Sequence, residues 1–110
     1  MHPGCWKKGG AARETRYLHN GPGMSSAEYT DVNPMRKVPA IVHDGMVVTE
    51  CAAICLYLAD AFPKADLAPP LDAQAGYCRW MIFAAGPWET ANTNRSLNIK
   101  VRAEVSGMVG

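Results

Sequence analysis

The apolar positions of this chain change their spacing at the centre of the sequence. Residues 38–43 form a short run rich in β-branched side chains with Pro39 near its start, which predicts a strand. Asp44-Gly45 follows, a dipeptide favoured in two-residue type I′ hairpins because both positions need positive φ. Met46, Val47 and Val48 form the return strand. Thr49 is expected to N-cap a helix, its hydroxyl accepting from a free amide of the first turn. Cys51, Ile54, Cys55, Leu58 and Phe62 then recur at i, i+3, i+4, i+7 and i+11, an amphipathic stripe from which Asp60 and Lys64 are excluded.

Patterning is weaker on either side. Residues 13–19, RETRYLH, read as a short, partly charged strand, and residues 20–23 as a turn. Residues 24–31 allow a helical turn or two, capped by Ser25 or Ser26, before Asn33-Pro34 breaks the chain. Pro63 is expected to end the central helix, and residues 64–70 read as a proline-punctuated linker. A long helix is predicted over 71–93, with Asp72 as its N-cap or in its first turn. Tyr77, Trp80, Met81, Ala84, Trp88 and Ala91 share one stripe of it. Gly86-Pro87 should kink that helix, because Pro87 removes one hydrogen bond and crowds the preceding turn. No internal repeat is visible.

Composition narrows the class. A length of 110 residues suits a small globular unit, and 48% apolar with 19% charged residues argues against disorder. The net charge of +1 offers no electrostatic reason to expect nucleic acid or an anionic membrane surface. No apolar run approaches the roughly 18 residues of a membrane span. The four cysteines, Cys5, Cys51, Cys55 and Cys78, have no Cys-x-x-Cys spacing, which fits a reducing cytoplasm.

Chemistry concentrates in the central unit. Proline at a strand start donates no ladder hydrogen bond and points to a turn or a cis bond. A cis Val38–Pro39 bond would turn the Val38 backbone groups toward an extended peptide lying alongside. The amides of Glu50, Cys51 and Ala52 open the helix and suit a carboxylate, while the Glu50 side chain suits an ammonium. Together these describe an amino-acid end group; the plainer alternative is a hairpin packed on a helix. Cys51 and Cys55 with His43 leave a fourth ligand unplaced, so no metal is expected. His19 and His43 read as edge histidines, and Arg79 and Arg95 as solvent or dimer contacts. Cys5 sits beside Trp6 and Lys7-Lys8, which would lower a thiol pKa and allow a covalent or redox role, but a free cysteine in a frayed terminus is the stronger reading. Cys51 at a helix start admits a mixed disulfide as an alternative to binding or packing.

The stretch NPMRKVPAIVHDGMVVTECAAICLYLADAFP resembles the glutathione-binding half of a bacterial-type glutathione S-transferase, a thioredoxin-like α/β domain. The resemblance rests on Asn33-Pro34, a short basic loop, Val38-Pro39, and Glu50 with a small polar residue 11 positions after the proline, then Ile54 and Tyr57-Leu58. It extends more loosely over about residues 14–98. The resemblance implies that Val38 holds the cysteinyl portion of glutathione through its backbone beside Pro39. Glu50 and Cys51 would hold the γ-glutamyl end, and Lys37 the glycyl carboxylate. Many relatives carry serine at the place of Cys51; a thiol is the weaker donor. Tyr77, Trp80 and Met81 would line the pocket for a small hydrophobic electrophile, with core packing as the alternative.

The same resemblance divides the chain into a partial thioredoxin-like domain over 1–63, a linker over 64–70, and the beginning of an all-helical C-terminal domain over 71–110. It implies glutathione as co-substrate, no other cofactor, no metal and a homodimer. It also implies that both ends are truncated. In the family the residue that activates the glutathione thiol lies where a first strand meets a first helix, and no residue here matches it, so no catalytic residue is assigned. Two functions follow as expectations: a transferase joining the glutathione thiol to hydrophobic electrophiles, or a non-catalytic glutathione-binding or dimerisation module.

Overall fold

The computed structural model describes residues 12–19 and 21–108, which divide into two compact units meeting between Ala68 and Pro69. The first carries helix α1 (Ala27–Val32), strands β1 (Ala40–His43) and β2 (Met46–Thr49), and helix α2 (Cys51–Ala61). The second carries α3 (Gln74–Phe83) and α4 (Glu89–Ser96).

Ser26 starts α1, its Oγ accepting from the Tyr29 amide at 3.2 Å. Glu28 in the first turn adds a favourable charge at the positive end of the helix dipole. The hairpin forms around Asp44 (φ 49°) and Gly45 (φ 78°), as a type I′ turn requires. Its antiparallel register pairs Ala40 with Thr49, Ile41 with Val48, Val42 with Val47 and His43 with Met46. Side-chain alternation sends Ile41 into the core and leaves the Val42–Val47 pair on the other face, 60% and 45% exposed. Ile41, Ile54 and Leu58 form the core, flanked by Val48, Tyr57 and Phe62. Phe62 closes α2, its amide bonding the Leu58 carbonyl at 3.0 Å, and Pro63 begins a 3₁₀ turn (Pro63–Ala65).

Three local expectations are corrected. Residues 13–19 form no strand; the sheet of the described residues contains β1 and β2 alone. Arg16 instead forms ion pairs with Glu28 and Glu14, and only Leu18 is partly covered, so this segment has no apolar face to bury. Thr49 does not cap α2, because the ladder holds it opposite Ala40 and the N-cap position passes to Glu50. Cys51 is exposed, so the buried stripe of α2 begins one turn later, at Ile54.

The predicted long helix is interrupted. A 3₁₀ turn (Leu71–Ala73) places Asp72 in the first turn and leads into α3; a π-helical segment (Ala84–Trp88) then joins α3 to α4. Pro87 lies inside that segment. A proline deletes an amide donor and crowds the turn before it, and the wider π turn accommodates both. The helical path runs to Ser96, beyond the expected end. No described side chain of this unit is buried; Trp80 and Trp88 are each 59% exposed.

Candidate functional site

The loop between α1 and β1 is built on Asn33, the one buried polar side chain among the described residues, at 4% exposure. Its Oδ1 accepts from the Met35 amide at 3.0 Å and its Nδ2 donates to the Lys37 carbonyl at 2.7 Å. Its own carbonyl accepts from the Arg36 amide at 2.8 Å. The Tyr29 hydroxyl, reaching from α1, also donates to the Lys37 carbonyl. Arg36 takes φ 55° to complete the turn. The chain then passes through Lys37 and Val38, both exposed, and a cis Val38–Pro39 bond into β1.

Strand register carries the rest. With Ala40 opposite Thr49, the Pro39 end of β1 lies beside Glu50. Glu50 combines φ 68° with ψ 126°, a conformation that costs an L-residue on the order of 1–3 kcal/mol. Its side chain is exposed and caps no amide. The first backbone bond of α2 runs from the Ile54 amide to the Glu50 carbonyl at 2.9 Å. The amides of Cys51, Ala52 and Ala53 therefore have no intrahelical acceptor. Lys37, Val38, Pro39, Glu50 and Cys51 thus share one end of the hairpin. Such an arrangement offers a carboxylate for an ammonium, helix-start amides for one carboxylate and a lysine for a second.

At the other end of the hairpin, His43 Nδ1 lies 2.6 Å from the Tyr57 hydroxyl. Cys51, Cys55 and Cys78 form no disulfide, and no group of three or more His, Cys, Asp or Glu among the described residues is placed to hold a metal. Among those residues no helix is long and apolar enough to cross a membrane. Cys5 lies outside the described residues.

Tyr77, Trp80 and Met81 converge in the second unit. They line an open groove of about 570 Å³ together with Pro69, Ala73, Gly76 and Ala84. The Trp80 ring meets Phe83 edge-on at 5.5 Å, and the Arg79 guanidinium lies 5.1 Å from the Trp80 ring centre.

The parts that Tyr29 and Asn33 play in holding this loop escape sequence reading. Asn33-Pro34 is legible as a chain breaker and as part of the family resemblance, and asparagine before a turn is itself the signature of an Asx turn, but its bond to Lys37 is not. Nothing in the sequence marks the reach of Tyr29 to Lys37.

A family model described as the glutathione S-transferase N-terminal domain matches residues 8–61, the stretch that contains α1, the hairpin and α2. The chain belongs to the glutathione S-transferase family. Its first unit is accordingly part of the family's thioredoxin-like N-terminal domain. Protein LigF of a Sphingobium species is 53% identical over 36 residues, covering 33% of this chain and 14% of that protein. Rat glutathione S-transferase theta-1 is 43% identical over 58 residues, 53% of this chain and 24% of that protein. Mouse glutathione S-transferase theta-2 is 29% identical over 102 residues, 92% of this chain and 41% of that protein. The chain thus spans less than half the length of each of these relatives. No solved structure matches it. Family members use glutathione as co-substrate with no metal.

Proposed function

We propose that this chain binds glutathione at the Pro39–Glu50 end of its hairpin and serves a glutathione S-transferase that joins the tripeptide's thiol to small hydrophobic electrophiles. The observation that carries the reading is the backbone of Glu50. A strained backbone carrying an exposed, non-capping carboxylate at a helix start, beside the Pro39 end of β1, is poor design for a hairpin and good design for a ligand. In this reading Glu50 takes the γ-glutamyl ammonium and the helix-start amides at Cys51 take the adjacent carboxylate. Val38 offers its backbone to the cysteinyl portion, and Lys37 neutralises the glycyl carboxylate.

The tripeptide's thiol gives up its proton to solvent, and the thiolate forms a sulfur–carbon bond as the electrophile's bond to its leaving group breaks and that group departs. The Tyr77, Trp80 and Met81 groove suits an apolar electrophile. Exposed Trp80, Ile82, Phe83 and Trp88 suit a homodimer, and the cysteines outside any disulfide suit a reducing cytoplasm. A binding module without catalysis is the second reading. It is favoured by the two phenols nearest the site in sequence, since Tyr29 is bonded to Lys37 and Tyr57 to His43.

Calorimetry with glutathione tests the site: Glu50→Ala should weaken binding by about 1.5–3 kcal/mol. An unchanged affinity would remove Glu50 from the site. Conjugation of a chromogenic aryl halide separates the two readings. No rate above the solution reaction, with binding retained, selects the binding module.

A further inference from the structure

The carbonyl of Lys37 has two donors, and both come from outside the peptide-binding end of the hairpin. Tyr29 donates from α1 and Asn33 from the α1 C-cap, so the two lone pairs of this oxygen are both used. Neither donor is part of β1. Val38 is followed at once by Pro39 and the β1 ladder, which fix it from its C-terminal side. Lys37 has no such support: its side chain is exposed, it makes no ion pair with a described residue, and the preceding Arg36 is already in a left-handed turn. The carbonyl clamp is therefore what orients the plane of the peptide following Lys37 and the direction in which its side chain leaves the loop.

We propose that Tyr29 and Asn33 are positioning residues that set selectivity for the glycyl end of the bound tripeptide, acting through Lys37. The inference rests on the glutathione reading above. A lysine carries a compact charge on a flexible stem, and ordering that stem on binding is an entropic loss. Anchoring the base of the stem reduces the number of directions the ammonium samples, and so reduces that loss. Neither Tyr29 nor Asn33 touches the ligand in this account. The Val38 amide shares the clamped peptide plane, so any loss at the cysteinyl contact falls on glutathione and its glycine-free analogue alike, and the effect through Lys37 is the difference between the two.

The test compares glutathione with γ-glutamylcysteine, which lacks the glycine, by calorimetry on the full chain. Tyr29→Phe keeps the ring and removes the donor. It should raise the Kd for glutathione roughly 3- to 10-fold more than it raises the Kd for γ-glutamylcysteine, the loss of one hydrogen bond's effect. Asn33→Asp, which keeps the Met35 acceptor and loses the Lys37 donor, should act in the same direction. Lys37→Met should show the same selectivity, and adding Tyr29→Phe to it should cost nothing further. Equal weakening of both ligands by Tyr29→Phe makes the clamp merely structural and overturns the inference, leaving the glutathione site standing. Should Tyr29→Phe and Asn33→Asp not fold, Lys37→Met alone decides: no preference between the ligands overturns the proposal. If the unaltered chain binds neither peptide, the site reading fails, and the inference with it.

Discussion

His43 Nδ1 and the Tyr57 hydroxyl lie 2.6 Å apart, tying the turn end of the hairpin to the middle of α2. The imidazole also meets the Tyr57 ring at 70° and 5.7 Å and the Phe62 ring at 38° and 5.5 Å between centroids. One residue at the end of β1 thereby contacts both the body of α2 and its C-cap.

Tyr57→Phe should accordingly lower stability by about 0.5–1.5 kcal/mol, the value of one partly buried hydrogen bond, while preserving the ring contacts. Urea unfolding followed by far-ultraviolet circular dichroism measures it. A neutral result would mean that the rings alone hold the two elements together.

The core is small, and each member of it counts. Leu58 is 4% exposed and packs with Ile41 and Ile54. Leu58→Ala should cost about 2–5 kcal/mol through lost burial and the cavity left behind. With so few buried partners, the expected outcome is loss of a cooperative thermal transition. A variant that melts as sharply as the parent chain would show that stability lies elsewhere.

How much of this was legible depended on whether the deciding interaction was local. Asp44-Gly45 announces its turn because the φ requirement belongs to those two residues themselves. Pro63 announces the end of α2 for a similar reason. Thr49 misleads, since capping propensity is local whereas its place in the ladder depends on Ala40, nine residues away. The 13–19 segment misleads because β propensity without a face to bury does not make a strand. At the site, Lys37, Val38, Pro39, Glu50 and Cys51 are readable as residue types. The carbonyl clamp of Tyr29 and Asn33 is not, because it depends on how the loop between α1 and β1 closes in three dimensions.

Asn33 serves that loop twice over, as acceptor for Met35 and donor to Lys37. Asn33→Ala leaves the Met35 amide without its acceptor and opens a polar void in a buried place. A loss of about 1–3 kcal/mol is expected, with hydrogen exchange accelerating at residues 35–37 before it does in α2. Uniform acceleration across the unit would contradict a local role.

Glu50 allows backbone and side-chain contributions to be separated. Its φ of 68° disfavours any residue with a Cβ, so Glu50→Gly should relieve the conformation, whereas Glu50→Ala should not. Glycine is also an adequate N-cap, and here it displaces no capping hydrogen bond, because Glu50 makes none. Glu50→Gly is therefore expected to gain about 1 kcal/mol, a rise in Tm of roughly 4–8 °C for a unit of this size. Glu50→Ala should leave Tm close to that of the parent. Both should lose glutathione affinity to the same extent, because both lack the carboxylate. If alanine stabilises as much as glycine does, the cost at this position comes from the charge rather than from the backbone. A bound ligand would then no longer account for the conformation of Glu50.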